Sequence, residues 1–175
     1  MIKIGLRPLA FFLVLLCSCA SIVKNDPYDR KIPKNPSWSI NPESVAEESD
    51  LISYESLYIH AYDSIPGYQG YRFFSNGRYI VKYVKNDKID PSLIFSTLTD
   101  AVVGYYKIEN KKIFLEFFLP RNYGNYHKSE GYIDSGGNIV VNVVNSSRLF
   151  SDGEVRPKIY FKIKADDLKE ITPDW

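Results

Sequence analysis

Cys17 and Cys19 are the only thiols in the chain, two residues apart and directly after the apolar run Leu9–Leu16. A Cys-x-Cys pair can clip a metal, close a vicinal disulfide or carry a covalent group on one sulfur. The other residues able to do chemistry are scattered. The two histidines, His60 and His127, stand far apart in sequence. A zinc or copper site draws on more imidazoles and thiolates than these, so no metal is expected. The carboxylates Glu47, Glu48, Asp50, Asp166 and Asp167 fall near expected element ends, where solvated charge is the default. No Gly-x-Ser-x-Gly elbow, phosphate loop or dinucleotide fingerprint occurs. The chain is therefore read as a non-enzyme with no cofactor.

The formal net charge is +1, and no run of five or more basic residues occurs, which argues against nucleic acid as a partner. With 45% hydrophobic and 25% charged residues, the 175-residue chain has the balance of one globular domain. Its 14 tyrosines suit strands, because a phenol ring is apolar along its body and polar at its tip.

The position of the cysteines decides among their chemistries. Lys3 and Arg7 are followed by a short apolar core and then small residues, the three parts of a secretory signal. The apolar run is far short of the roughly 20 residues that span a bilayer. Leu16-Cys17-Ser18-Cys19 then resembles the lipobox of bacterial lipoproteins, with Cys17 in the small-residue slot. The resemblance implies cleavage before Cys19, a diacylglycerol on its sulfur and acylation of the new amine, which labelled palmitate would report. Cys17 would leave with the signal, and a metal clip or disulfide would lose one partner. Two or three acyl chains anchor stably where one is reversible, because each buried methylene contributes ~0.8 kcal/mol. Ala20 at the following position lacks the aspartate of inner-membrane retention, and no acidic run follows. The expectation is thus a cell-envelope protein, lipid-anchored, in the outer membrane rather than the inner membrane and facing the periplasm.

Residues 1–18 are accordingly read as signal peptide, 19–42 as lipidated Cys and flexible tether, and 43–175 as a single β-barrel domain. The tether carries Pro27, Pro33, Pro36 and Pro42 and has no apolar period. A flexible chain of that length spans about 25–30 Å. Trp38 within it either packs back on the domain or sits at the membrane interface. Asn41-Pro42-Glu43-Ser44 reads as the start of a short N-terminal helix reaching Ser49.

Eight strands are expected, near 56–63, 69–75, 78–85, 101–109, 112–119, 126–134, 138–145 and 158–164, with a short helix starting at Asp90-Pro91. With Asn110-Lys111 as a two-residue loop, Glu109 faces Lys112, Ile108 faces Ile113, Tyr106 faces Leu115 and Gly104 faces Phe117, which gives one apolar face. Asn76-Gly77 is expected to form a second two-residue turn, and Gly136-Gly137 marks a third hairpin. In the last strand Ile159, Phe161 and Ile163 are read as the apolar face. Short connections force antiparallel neighbours, so the fold class is all-β: an eight-stranded up-and-down barrel or half-open barrel, with a two-sheet sandwich as the alternative.

The stretches "YRFFSNGRYI", "GYYKIENKKIFLEFF" and "GYIDSGGNIVV" resemble the fold motifs of small lipocalin-like lipoproteins of Bacteroidetes-type bacteria. The resemblance implies a lipocalin-like barrel and carries over no functional residues. The Gly-x-Trp of true lipocalins is absent. Asp63-Ser64-Ile65 resembles the O-glycosylation acceptor of the same bacteria. Two functions follow. In the first, a small apolar or amphipathic ligand binds against Val81, Tyr106, Leu115, Phe117 and Phe161. In the second, the barrel is solid, and Tyr68, Tyr71, Tyr123 and Tyr126 in the loops "IPGYQGY" and "PRNYGNYH" dock an envelope protein or glycan.

Overall fold

A computed structural model of the chain describes residues 22–41, 50–120, 124–142, 157–165, 167–173 and 175. Eight strands form a closed antiparallel barrel: β3 (Ser56–Ala61), β4 (Tyr68–Phe73), β5 (Arg78–Val84), β6 (Val102–Glu109), β7 (Lys112–Leu119), β8 (Asn125–Ile133), β9 (Ile139–Asn142) and β10 (Lys158–Lys164). Each strand pairs with the next, and β10 closes on β3 through Tyr58 opposite Lys162. This is the expected up-and-down barrel, and closure removes both sheet edges. Two short strands, β1 (Val23–Asn25) and β2 (Lys31–Pro33), form a separate hairpin. A single turn of helix, α1 (Pro91–Phe95), lies between β5 and β6; the Asp90 carboxylate caps it by accepting from Ser92 N at 2.9 Å, and Pro91 opens it. The expected helix over 43–49 lies outside the described residues.

The β6–β7 hairpin has the expected register, from Glu109 opposite Lys112 to Gly104 opposite Phe117. Asn110 and Lys111 both take positive φ, at 53° and 62°, as a two-residue type I′ loop requires. Glu109 and Lys112 face each other across it but form their ion pairs elsewhere: Lys107 bonds Glu109 at 2.8 Å and Lys112 bonds Glu130 at 2.6 Å. The turn at Asn76-Gly77 differs from expectation. Phe74 N donates to Arg78 O, and only Gly77 takes positive φ, so Ser75-Asn76-Gly77 is a three-residue loop. The β8–β9 turn repeats that design, with the Asp134 carboxylate accepting from Gly136 N and Asn138 N.

Two apolar layers result. The inner one fills the barrel with Tyr58, Tyr71, Phe73, Tyr79, Val81, Tyr106, Ile108, Ile113, Leu115, Ile139, Val141 and Tyr160, with Ile52 below. The rings interlock: Phe73 stacks on Tyr79 at 5.4 Å and meets Tyr106 edge-on at 4.9 Å. Gly104 makes room for this, since a Cβ there would stand 2.5 Å from the Tyr79 ring. The outer layer packs α1 and the C-terminal tail over β3–β5, burying Leu57, Tyr68, Ile80, Val84, Phe95 and Leu98. All six residues of β4 are buried, so that strand shows no polar face and no clean alternation.

Two cations lie under the outer layer and serve the end of α1, where helix carbonyls lack partners. Arg72 donates to Phe95 O at 2.7 Å and to Lys169 O at 2.7 Å. Lys82 Nζ donates to Ile94 O at 2.8 Å and to Thr97 Oγ1 at 3.1 Å. Burial lowers the Lys82 pKa to about 8, partly opposed by nearby Asp100. Between that value and the ordinary lysine range the unfolded chain holds a proton that the folded protein has released. Stability therefore rises with pH across that window. Urea midpoints measured from pH 7 to 9.5 should show this rise in the parent, and Lys82→Met should remove it.

The reading of 19–42 as a flexible tether is corrected over 22–41, which packs on the barrel. Trp38 settles on the domain, edge-on to Tyr105 at 4.7 Å and to Tyr126 at 4.8 Å. Glu116, 1% exposed on the outer face of β7, accepts through one oxygen from Ser39 N, Ser39 Oγ and Ile40 N at 2.7, 3.0 and 2.9 Å. Arg30, paired with Asp26, lies over the Trp175 ring at 4.7 Å and ties the first hairpin to the C-terminal tail. Three prolines, Pro27, Pro33 and Pro36, accompany a strap held by specific contacts, which composition does not reveal.

Candidate ligand recess at the barrel mouth

The two ends of the barrel differ. One is closed by the tight turns at 74–78, 110–111 and 134–138, with Leu51, Ile52 and Tyr54 packed against the core beneath. The other carries, among the described residues, the longer connections 62–67 and 85–101, which border a recess of about 240 Å³. Nearly every lining residue lies on the inward side of its strand, close to the open end. Gln69 and Tyr83 are cross-strand partners on β4 and β5, and Phe117 and His127 on β7 and β8. Val141 and Lys158 face each other across β9 and β10.

The floor is aromatic. Tyr71 and Tyr160 stack with centroids 4.2 Å apart and rings 21° from parallel. Burial, and behind it the neighbouring phenols, hold the Tyr71 hydroxyl well above the usual tyrosine range, and burial raises Tyr160 too. Both phenols are therefore neutral hydrogen-bonding groups at any physiological pH. One wall is the Phe117 ring stacked on the His127 imidazole, 5.3 Å apart and 12° from parallel. Gln69 Nε2 reaches the Tyr83 hydroxyl at 3.4 Å. Lys158 and Lys128 bring positive charge to the lining, and among the described residues no carboxylate joins them. Lys128 lies 3.8 Å from a Glu116 oxygen, on the outer side of β8.

This arrangement suits a small amphipathic molecule: a flat or short apolar body between Tyr71, Tyr160, Phe117 and Leu119, with an anionic head toward Lys158 and His127. The recess is at the small end for ligand sites, which usually run to about 300–1,000 Å³. Among the described residues no group of three His, Cys, Asp or Glu is placed to hold a metal. His60 is used structurally, with Nδ1 2.9 Å from Ile159 O.

The residues expected to bind a ligand separate into three groups. Phe117 lines the recess. Val81, Tyr106 and Leu115 face inward as expected, but at 0–1% exposure they belong to the packed core and not to the recess. Phe161 is corrected: it points outward and is 57% exposed, because Tyr160 holds the inward position. The inner face of β10 reads Lys158, Tyr160, Lys162, Lys164. Only Tyr160 is enclosed, and the three lysines emerge toward the barrel ends, so an apparently charged face is the inner one.

The tyrosines expected in docking loops are corrected as well. Tyr71 belongs to the barrel core and Tyr68 to the outer layer, at 3% and 5% exposure. Tyr126 is half-buried, covered by Trp38, and accepts from Ser37 N at 2.8 Å. Tyr123 and Cys19 lie outside the described residues. The residues that sequence reasoning missed are Gln69, Tyr83, Leu119, His127, Lys158 and Tyr160. Their signal was available as polar or aromatic residues at inward positions next to a long connection, once the inward side of each strand was known.

The chain matches no protein-family model, no curated protein and no solved structure.

Proposed function

We propose that the protein is a lipid-anchored lipoprotein of the cell envelope, held by acyl chains on Cys19 in the outer membrane, whose barrel binds one small amphipathic anion without chemical conversion. The observation that supports the reading is the recess, with two stacked phenols as its floor and Lys158 and His127 at its wall. A deep apolar calyx is not the site, because the aromatic core fills the barrel below Tyr71. The ligand is therefore short: on the order of ten heavy atoms fill such a space, and at the efficiency of small ligands that supports micromolar to millimolar binding.

Calorimetric titration with octanoate tests this. The expected result is saturable one-to-one binding that Lys158→Glu weakens by at least tenfold, about 1.4 kcal/mol. Native mass spectrometry of protein purified from its own host should in addition show a retained small molecule. No octanoate heat together with a bare protein would leave a solid barrel, and the reading would pass to docking of an envelope protein or glycan.

A further inference from the structure

The recess opens at the same end of the barrel from which the N-terminal segment departs. Ile22 sits beside the start of β8: a Cβ on Gly124 would lie 3.2 Å from its Cδ1 and 2.5 Å from the Phe118 ring. Lys34 N donates to Ile22 O at 2.9 Å and Val23 pairs with Pro33, so Ile22 is held there by the β1–β2 hairpin. Cys19 is three residues away. Three residues reach at most about 11 Å when fully extended. An acyl group on Cys19 is thus confined close to the barrel mouth, and the intervening chain is too short to let the barrel turn over.

Exposed aliphatic residues gather at that end. Ile22 is 48% exposed, Ile65 in the β3–β4 loop 63%, Ile89 after β5 40% and Leu93 on α1 66%. Singly exposed apolar residues are ordinary, but Ile65, Ile89 and Leu93 lie on the two described connections that leave one end, 62–67 and 85–101, and Ile22 sits beside Gly124 at the same end. The opposite end presents Ser75, Asn110, Lys111, Ser135 and Gly136 at its turn tips, all exposed. We infer that the barrel docks mouth-down on the bilayer that holds Cys19, with Ile22, Ile65, Ile89 and Leu93 in the headgroup region and the recess open toward the lipid. This rests on the lipoprotein reading and deepens it: the occupant of the recess comes from the membrane surface, such as a short-chain or partly extracted anionic amphiphile, and reaches Lys158 without crossing bulk water.

The test uses the full-length lipidated protein in vesicles of phosphatidylethanolamine and phosphatidylglycerol containing a nitroxide-headgroup lipid. Acylation occupies Cys19 and processing removes Cys17, so an introduced thiol is the only site for a fluorophore. Ile65→Cys and Leu93→Cys mark the mouth, and Ser135→Cys marks the turn end. Quenching several-fold stronger at the two mouth positions than at Ser135 is the expected result. Equal quenching at all three, or stronger quenching at Ser135, overturns the orientation while the anchor stands. Intact mass of the same preparation separates the two failures. A chain without acyl groups that stays off the vesicles overturns both the anchor and the docking. A glycan on Ser64 overturns the docking alone, since it would stand between Ile65 and the bilayer.

Discussion

Phe73→Ala should lower the stability of the protein by about 3–5 kcal/mol, the usual loss for removing a fully buried ring from a core that cannot collapse around the space. Phe73 is fully buried and its ring contacts four others: Tyr58 at 5.3 Å, Tyr71 at 6.1 Å, Tyr79 at 5.4 Å and Tyr106 at 4.9 Å. These neighbours sit on strands that close on themselves, so the backbone cannot move inward to refill the gap. Most domains are stable by only about 5–15 kcal/mol, so the variant should be close to unfolding at physiological temperature. Urea denaturation measures the difference. Phe161→Ala is the internal control: with that ring largely in solvent, the change should stay within about 0.5 kcal/mol. Were Phe73→Ala to cost less than Phe161→Ala, the filled barrel, on which the proposed restriction of a ligand to the mouth rests, would be wrong.

Glu116→Ala should release the N-terminal strap and destabilise the protein by about 2–4 kcal/mol. The carboxylate oxygen is the common acceptor for Ser39 N, Ser39 Oγ and Ile40 N, and the site is almost fully enclosed. Hydrogen bonds to an ionised acceptor are roughly twice as strong as neutral ones, and donors left buried without an acceptor carry a penalty of about 1–3 kcal/mol. Glu116→Gln keeps an acceptor but not its charge, so about half the loss is expected. Trp38 provides the readout. Freed from Tyr105 and Tyr126 it enters water, and its emission moves to the red in proportion to the strap's release. If both variants kept the parent spectrum, ring packing alone would hold the strap. Under the proposed mouth-down docking, where the strap limits the reach of Cys19, Glu116→Ala should reduce the difference in lipid quenching between Ile65 and Ser135.

Much of the barrel was legible where one strand face was dry and the other wet. The β6–β7 pair is the clearest instance. Tyr106, Ile108, Ile113 and Leu115 alternate with Lys107, Glu109 and Lys112, and only one register keeps the first set together. The β4 strand and the last strand were less legible, for opposite reasons. Outer packing under α1 buries Arg72 along with Phe73, so β4 offers no alternation to read. In β10 the inner face is short, and its lysines lie where the barrel meets water, so polarity pointed to the wrong side. The strap was read as a tether because its anchoring partners, Glu116 and Tyr126, lie more than 70 residues away.

By itself the sequence determined that eight strands form, that short turns join several of them in antiparallel order and that one face of most is apolar, because these follow from the two-residue period and from local turn chemistry. It also carries Leu16-Cys17-Ser18-Cys19, whose resemblance to a lipobox is read along the chain, needs no fold and is the basis of the proposed acylation of Cys19. Only the tertiary structure decided that the barrel is filled rather than hollow, because that depends on the summed volume of side chains brought in from seven strands. It alone placed Lys158, His127, Tyr71 and Tyr160 around one opening, since barrel closure joins positions that share no sequence neighbourhood.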